Sequence, residues 1–426
     1  MGYWELKTHE IMKKVLVFIL MIVAFVACSK DDNDSENSIK KATVKGAQLI
    51  YQNSVESRAG TRATTEEVQR FMTVDYQGNI KPIRFITEKG DTLDMRIDIV
   101  KNLSNEYLAL SGNFIFNNVA LGSLLVNKNT ELIYAMNIHF MEMGPVFEDN
   151  DRNIYTTFAS TGGGENTLYR LNTSNPDNIT MEEYATKLSF RIGDYWINKN
   201  SFCYYIDDIK RIKCPGGKVY ELSSLLPNGY SNATIFSGIN GKFYVACTTD
   251  NFYIYVLEEN GNNGLKAIEV ANLPGSYYCN GDFCPNQITK EHICNINNEK
   301  IIIFNEETNE LKMIDIQLPT MDYIAWGRQS TNTFVTSESL WILDETVLYQ
   351  LRFSDYTLNT INLGKIGYGV NKESISCSIN APGLSFSGLR YSDGQNIVGT
   401  INEDGTITTF EKTKTSNKIT TLLRLN

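Results

Sequence analysis

Ile254-Tyr255-Val256-Leu257, followed by the turn Asn260-Gly261-Asn262-Asn263-Gly264 and a second strand, is the stretch whose reading decides the fold. Its apolar part is short and rich in β-branched and aromatic side chains, which suit a pleated, buried strand. Asn and Gly adopt the left-handed backbone that a tight reversal needs. The same unit, an apolar strand of four residues, a polar turn and another strand, starts at Phe71, Leu124, Leu168, Ile209, Ile254, Ile301, Leu348 and Ile397. Successive starts differ by 53, 44, 41, 45, 47, 47 and 49 residues. Past residue 66 almost no helical periodicity interrupts the series.

A period of roughly 40–50 residues made wholly of strands marks a β-propeller with one four-stranded sheet per repeat. A single such sheet cannot bury both of its faces, so neighbours must stack around an axis. The expectation is therefore an all-β chain of seven to eight four-stranded blades. Eight is favoured, and seven would follow if one hairpin is spurious. The first repeat begins with only two strands, while an apolar strand at residues 419–425 is left over after the last one. Joining the two closes the ring by pairing the N- and C-terminal strands. An array of two β-sandwich domains is the competing reading, and the near-constant spacing argues against it.

Upstream of the repeats the chain changes character. Met12-Lys13-Lys14 precedes 13 apolar residues, 15–27, and then Cys28-Ser29-Lys30-Asp31-Asp32-Asn33-Asp34. Lysines before a short apolar run form a secretory signal, and the run is too short for a bilayer-spanning helix of about 20 residues. Met12 begins the more typical signal, so residues 1–27 read as signal peptide. Residues 28–65 are polar and poor in large apolar side chains, and read as a flexible tether, with a turn of helix possible at 47–51. Residues 66–426 then form a single propeller domain.

Without residues 1–27 the chain carries 36 Lys and Arg against 47 Asp and Glu, a net charge of −11. That balance excludes nucleic acid as a partner, because phosphate contacts need clustered cations. Seven cysteines remain besides Cys28, an odd number that leaves at least one thiol free. Cys279 and Cys284 flank an Asn-Gly turn and are the candidate disulfide; Cys203 and Cys214 could face each other across a hairpin.

Phe25-Val26-Ala27-Cys28 resembles a bacterial lipobox, and the acidic run behind it resembles the lipoprotein export signal of Bacteroidota. With the repeat plan, the chain resembles Bacteroidota outer-membrane β-propeller lipoproteins of unknown function. More loosely it is similar to propeller lipoproteins that sit over outer-membrane transporters and capture nutrients. The resemblance implies a lipid, such as palmitate, on Cys28 and display at the outer-membrane surface. It also implies a TonB-dependent transporter as a possible partner. Several acyl chains hold a soluble domain at a membrane without a helix, since each buried CH₂ contributes about 0.8 kcal/mol.

The chain carries no nucleophile elbow, zincin helix or phosphate loop. Its two histidines outside the signal, His139 and His292, are not at ligand spacing, so no catalytic residue, metal or cofactor is assigned. The candidate ligand residues lie on the long connections between repeats: Tyr195 and Trp196, Tyr277 and Tyr278, Tyr323 and Trp326 with Arg328, and Tyr368. In a propeller these connections converge on one rim, where flat rings suit stacking on sugars or other small molecules and Arg328 would hold an acidic group. The same rings would equally serve to fill the gaps between blades. Capture of a small molecule or glycan for a transporter is thus the leading expectation. A polysaccharide lyase or hydrolase, and a scaffold or adhesion protein without a small ligand, are the alternatives.

Overall fold

The computed structural model describes residues 39–55, 68–93, 95–116, 119–136, 142–143, 146–148, 151–159, 166–188, 195–197, 203–206, 211–213, 219–259, 265–279, 283–286, 288–297, 299–316, 333–378, 380–419 and 421–425. The strand Lys300–Asn305 shows how the fold is built. Its interior, Ile301 to Phe304, is at most 1% exposed. Because side chains alternate across a strand, Ile301 and Ile303 enter one apolar cluster, with Leu340 and Ile342, while Ile302 and Phe304 enter another, with Tyr244 and Ile254. The unbroken apolar run is the signature of a strand covered on both faces. Burying such side chains stabilises the fold by roughly 1.5–3 kcal/mol each.

Repetition of this arrangement generates the molecule. The described residues form eight antiparallel sheets, seven of four strands and one of five, besides a small three-stranded sheet. In chain order the sheets are consecutive meanders, such as the fifth, Ser231–Ser237, Phe243–Thr248, Asn251–Glu259 and Leu265–Pro274. The sixth runs from Cys284–Asn286 to Leu311–Asp315, the seventh from Thr333–Val335 to Leu358–Asn362, and the eighth from Tyr368–Ser376 to Ile407–Thr409. Among the described residues, each repeat unit read in the sequence falls on the third strand of a sheet and the fourth strand that follows, while Ile209 and the turns at 214–218 and 260–264 lie outside them.

The first sheet is the exception to the meander. Its strands Ala47–Val55, Val68–Asp75 and Ile80–Pro82 are completed by Leu422–Arg424, which pairs Leu49 with Arg424, Ile50 with Leu423 and Tyr51 with Leu422. Apolar clusters join successive sheets face to face. One joins the first and second sheets (Ile50, Leu108), another the second and third (Tyr107, Ile154), and others link the fourth through eighth in turn. A last cluster joins Val398 of the eighth sheet to Leu49, Tyr51 and Leu422 of the first. Four-stranded wedges packed face to face in sequence are the architecture of a β-propeller.

Two boundary expectations are corrected. Residues 39–55, assigned to the tether, form the strands Ile39–Ala42 and Ala47–Val55, with Ala42, Val44, Leu49, Ile50 and Tyr51 at most 2% exposed. The turn of helix at 47–51 is likewise a strand. The rest of the assigned tether, residues 28–38 and 56–65, lies outside the described residues, and Cys28 with it.

Candidate functional site

In a four-stranded meander the turns after the first and third strands lie at one end of the sheet. The turn after the second strand and the connection to the next sheet lie at the other. The first end is the better furnished. A recurring turn closes the third strand there, with Asn or Asp leading: the Asn127 side-chain oxygen accepts from the amides of Asn129 and Thr130, Asn305 from Glu307 and Thr308, and Asp75 from Gln77 and Asn79. The longer form ends on a left-handed residue, Glu131 (φ 66°), Asn309 (58°) or Tyr356 (56°). The shorter form ends on Gly78 (73°) or Gly405 (80°), where a side chain would be strained.

From these turns side chains reach back to the preceding sheet. Glu306 accepts the amides of Ile239 and Asn240, both at 2.8 Å, and lies 2.9 Å from His292 Nε2 in a site where both side chains are at most 1% exposed. Glu291 of the sixth sheet accepts from Tyr356 of the seventh, from Lys312 Nζ at 2.9 Å and from Thr289 Oγ1 at 2.9 Å. Burial opposes its ionisation, but those three donors outweigh burial and hold its carboxyl below the usual range. Burial and the facing carboxylate push the Tyr356 hydroxyl well above its ordinary value.

Glu403 is the most heavily bonded of the group. Its Oε1 accepts from Thr336 Oγ1 (3.0 Å) and the Gly383 amide (2.6 Å), and its Oε2 from Ser339 Oγ (2.5 Å) and Gln350 Nε2 (2.6 Å). A carboxylate with both oxygens engaged is a fastener between the seventh and eighth sheets rather than a base. Arg424 of the last strand holds the same loop from the other side, donating to the carbonyls of Gly383 and Pro382, both at 2.8 Å. The loop extends further, and Asn380 Nδ2 donates to Asn105 Oδ1 of the second sheet at 3.1 Å.

Between these turns lies a cavity of about 370 Å³. The sixth sheet lines it with Asn286, Ile288 and Thr289, and the seventh with Glu338, Ser339, Arg352 and Phe353. Glu403 and Asp404 of the eighth sheet complete the wall. Its volume falls within the range of small-ligand sites, roughly 300–1,000 Å³. Ile288 is 66% exposed and forms an apolar lip, while Phe353, 2% exposed, belongs to the cluster beneath. Arg352 is already committed, donating to Asp355 Oδ2 at 2.6 Å and to Thr357 Oγ1 at 3.1 Å. Hydrogen bonds from the Thr406 hydroxyl and amide hold the Asp404 carboxyl below its usual range.

Of the aromatic residues singled out in the sequence, Tyr277, Tyr278 and Tyr368 belong to the opposite end of the sheets. Tyr278 is 52% exposed there. Tyr277 and Tyr368 are half-buried instead, Tyr277 against the cluster between the fifth and sixth sheets and Tyr368 edge-on to Phe386 at 5.5 Å. These two rings pack between sheets. Tyr195 and Trp196 form the strand Tyr195–Ile197, but their side chains, and all of Tyr323, Trp326 and Arg328, lie outside the described residues.

The disulfide expected between Cys279 and Cys284 is not formed, and both are buried free thiols. Cys279 packs beside Phe236 and Phe283 between the fifth and sixth sheets, whereas Cys284 packs beside Ile293 and Leu340 between the sixth and seventh. The body of the sixth sheet separates them. Burial pushes the Cys284 thiol far up, and so keeps it protonated. Cys214 and the side chain of Cys203 are outside the described residues. Among the described residues no three His, Cys, Asp or Glu side chains converge as a metal site would require.

The cavity residues escaped the sequence reading because each sits in a polar turn, where Glu, Asp and Asn look like ordinary solvated loop. The usable signal was the residue directly after the turn-leading Asn, since Glu306 and Glu403 occupy that place in their repeats and Phe353 occupies it after Arg352.

No family model matches the chain, and no curated protein matches it. Among solved structures, apo AztD from Citrobacter koseri is similar at 11% identity and a TM-score of 0.42, over 90% of this chain and 98% of that one. Chaetomium thermophilum Sqt1, solved with the N-terminus of ribosomal protein L10, is similar at 10% identity and a TM-score of 0.39, over 88% and 99% of the two chains. The β-propeller domain of Cps50 (Swd1) from Myceliophthora thermophila follows at 12% and 0.37, over 70% and 95%. Likeness at this level carries no function, and the fold assignment stands on the sheets themselves.

Proposed function

We propose that the protein is a lipid-anchored binding protein at the outer-membrane surface that captures a small molecule or glycan for a neighbouring transporter. This reading takes the eight sheets as blades of one ring. The observation that carries it is the cavity of about 370 Å³ among the turns of the sixth, seventh and eighth sheets. Its walls are held by bonds between sheets, so the site is formed before any ligand arrives and little ordering entropy is lost on binding. The address rests on the signal, Cys28 and the acidic residues after it.

Two measurements test the reading. Cys28→Ala should abolish incorporation of labelled palmitate and release the protein from the membrane fraction; unchanged fractionation rejects the anchor. Calorimetric screening of sugars and other small polar compounds should give a ligand whose affinity falls when the exposed Ile288 is replaced by Trp, which narrows the cavity mouth. Affinity unmoved by that change, or no ligand at all, rejects the cavity as the capture site. Turnover of the bound sugar would favour the lyase or hydrolase reading instead.

A scaffold role has one observation of its own. Tyr278, Ile366, Leu389 and Tyr391 are 40–54% exposed, all at the sheet ends opposite the cavity. Partner-bound material recovered with no small-molecule affinity would favour it.

A further inference from the structure

The charge of the cavity says more than its size. Three carboxylates line it, Glu338, Glu403 and Asp404, against one guanidinium, Arg352. Arg352 is neutralised by Asp355 at 2.6 Å, so it offers little attraction to an anion. Glu403 has spent both oxygens on the four donors described above and contributes only its field. Glu338 and Asp404, one from the seventh sheet and one from the eighth, are exposed and belong to different turns. The sixth sheet contributes Asn286, Ile288 and Thr289, and no charge, to the wall.

A site with this balance repels carboxylates and phosphates and concentrates cations. The described side chains do not converge as metal ligands do, with Asp404 Oδ1 already accepting from the Thr406 amide and hydroxyl. Beside the acids lies the exposed Ile288 side chain, which suits the carbon skeleton of an organic ligand better than a hydrated ion.

We infer that the cavity selects small organic cations carrying an ammonium group, held between Glu338 and Asp404 with their carbon skeleton against Ile288. The inference rests on the capture reading above and narrows its ligand to one charge class. An exposed carboxylate contributes modestly to such a contact, so two together predict about a tenfold preference over a neutral analogue, or 1.4 kcal/mol.

A matched series of sugars, each titrated calorimetrically into the folded protein, tests this: glucosamine (ammonium), N-acetylglucosamine (neutral) and glucuronate (anionic), with putrescine as a cation lacking the ring. Glucosamine or putrescine should bind about tenfold tighter than either uncharged or acidic probe. The preference should shrink several-fold in Glu338→Gln and Asp404→Asn and in high salt. Both positions are exposed, so the variants should melt like wild type. Equal binding of the three sugars, or a preference for glucuronate, overturns the charge selection while leaving capture intact. Cation binding that is unchanged in both variants and in Ile288→Trp also overturns it, by placing the cation elsewhere. No binding of any probe overturns both the selection and the small-ligand reading of this cavity.

Discussion

Replacing Glu403 should show whether the sheets are fastened through their turns. Glu403→Ala removes an acceptor from four donors on two sheets, and Thr336, Ser339 and Gln350 are at most 1% exposed. Some have a second acceptor in reach: Thr336 Oγ1 donates to the Ser339 carbonyl at 3.0 Å, and Gln350 Nε2 to the Glu403 carbonyl at 2.9 Å. The Gly383 amide and the Ser339 hydroxyl then carry most of the loss. An unsatisfied buried donor costs about 1–3 kcal/mol, so the variant should lose about 3 kcal/mol. Glu403→Gln keeps one acceptor oxygen for Thr336 and Gly383 but brings its amide nitrogen against Gln350 Nε2, and should lose about 1–2 kcal/mol. Urea unfolding followed by tryptophan fluorescence measures both, with the slope as a control on denatured-state changes. Losses below about 0.5 kcal/mol for both variants, or a Gln variant weaker than the Ala variant, refute the fastening argument.

Two further expectations concern single side chains. Lys128 is 7% exposed, donates to Asn102 Oδ1 at 3.1 Å and has its pKa lowered to about 8 by burial. The unfolded lysine keeps its proton to about pH 10.5, so stability should rise with pH between about 8 and 10.5 and this rise should be absent in Lys128→Met; the difference, bounded at about 3 kcal/mol and reduced by solvent near the amine to about 1–2, is read from urea titrations at pH 7.5 and 10. Cys279 and Cys284 should both take up iodoacetamide after denaturation without reductant, and a non-reducing digest that instead yields a peptide linked through them would contradict the packing of the sixth sheet.

How far the sequence could be read depended on the distance over which an interaction is decided. The turn at Asn305 and the strand before it were legible because a turn and the residues flanking it settle their own geometry. The strand Ala47–Val55 was not. One neighbour, Val68–Asp75, is the next strand, but the other, Leu422–Arg424, lies at the far end of the chain, and nothing local marks Leu49 or Tyr51 as covered by Val398. Cys279 and Cys284 show the same limit, since five residues of separation suggested a bridge that a sheet lying between them forbids.

The amino-acid pattern alone specified an all-β chain of repeated hairpins, because strand alternation and turn chemistry are each written in neighbouring residues. Only the tertiary structure decided which turns meet, and therefore that Glu338, Arg352, Phe353 and Asp404 share one cavity while Tyr277 and Tyr368 pack between sheets. The reason is geometric. Residues in three repeats become neighbours only when wedges of similar shape are stacked side by side, and that stacking is set by the summed burial of both faces of every sheet.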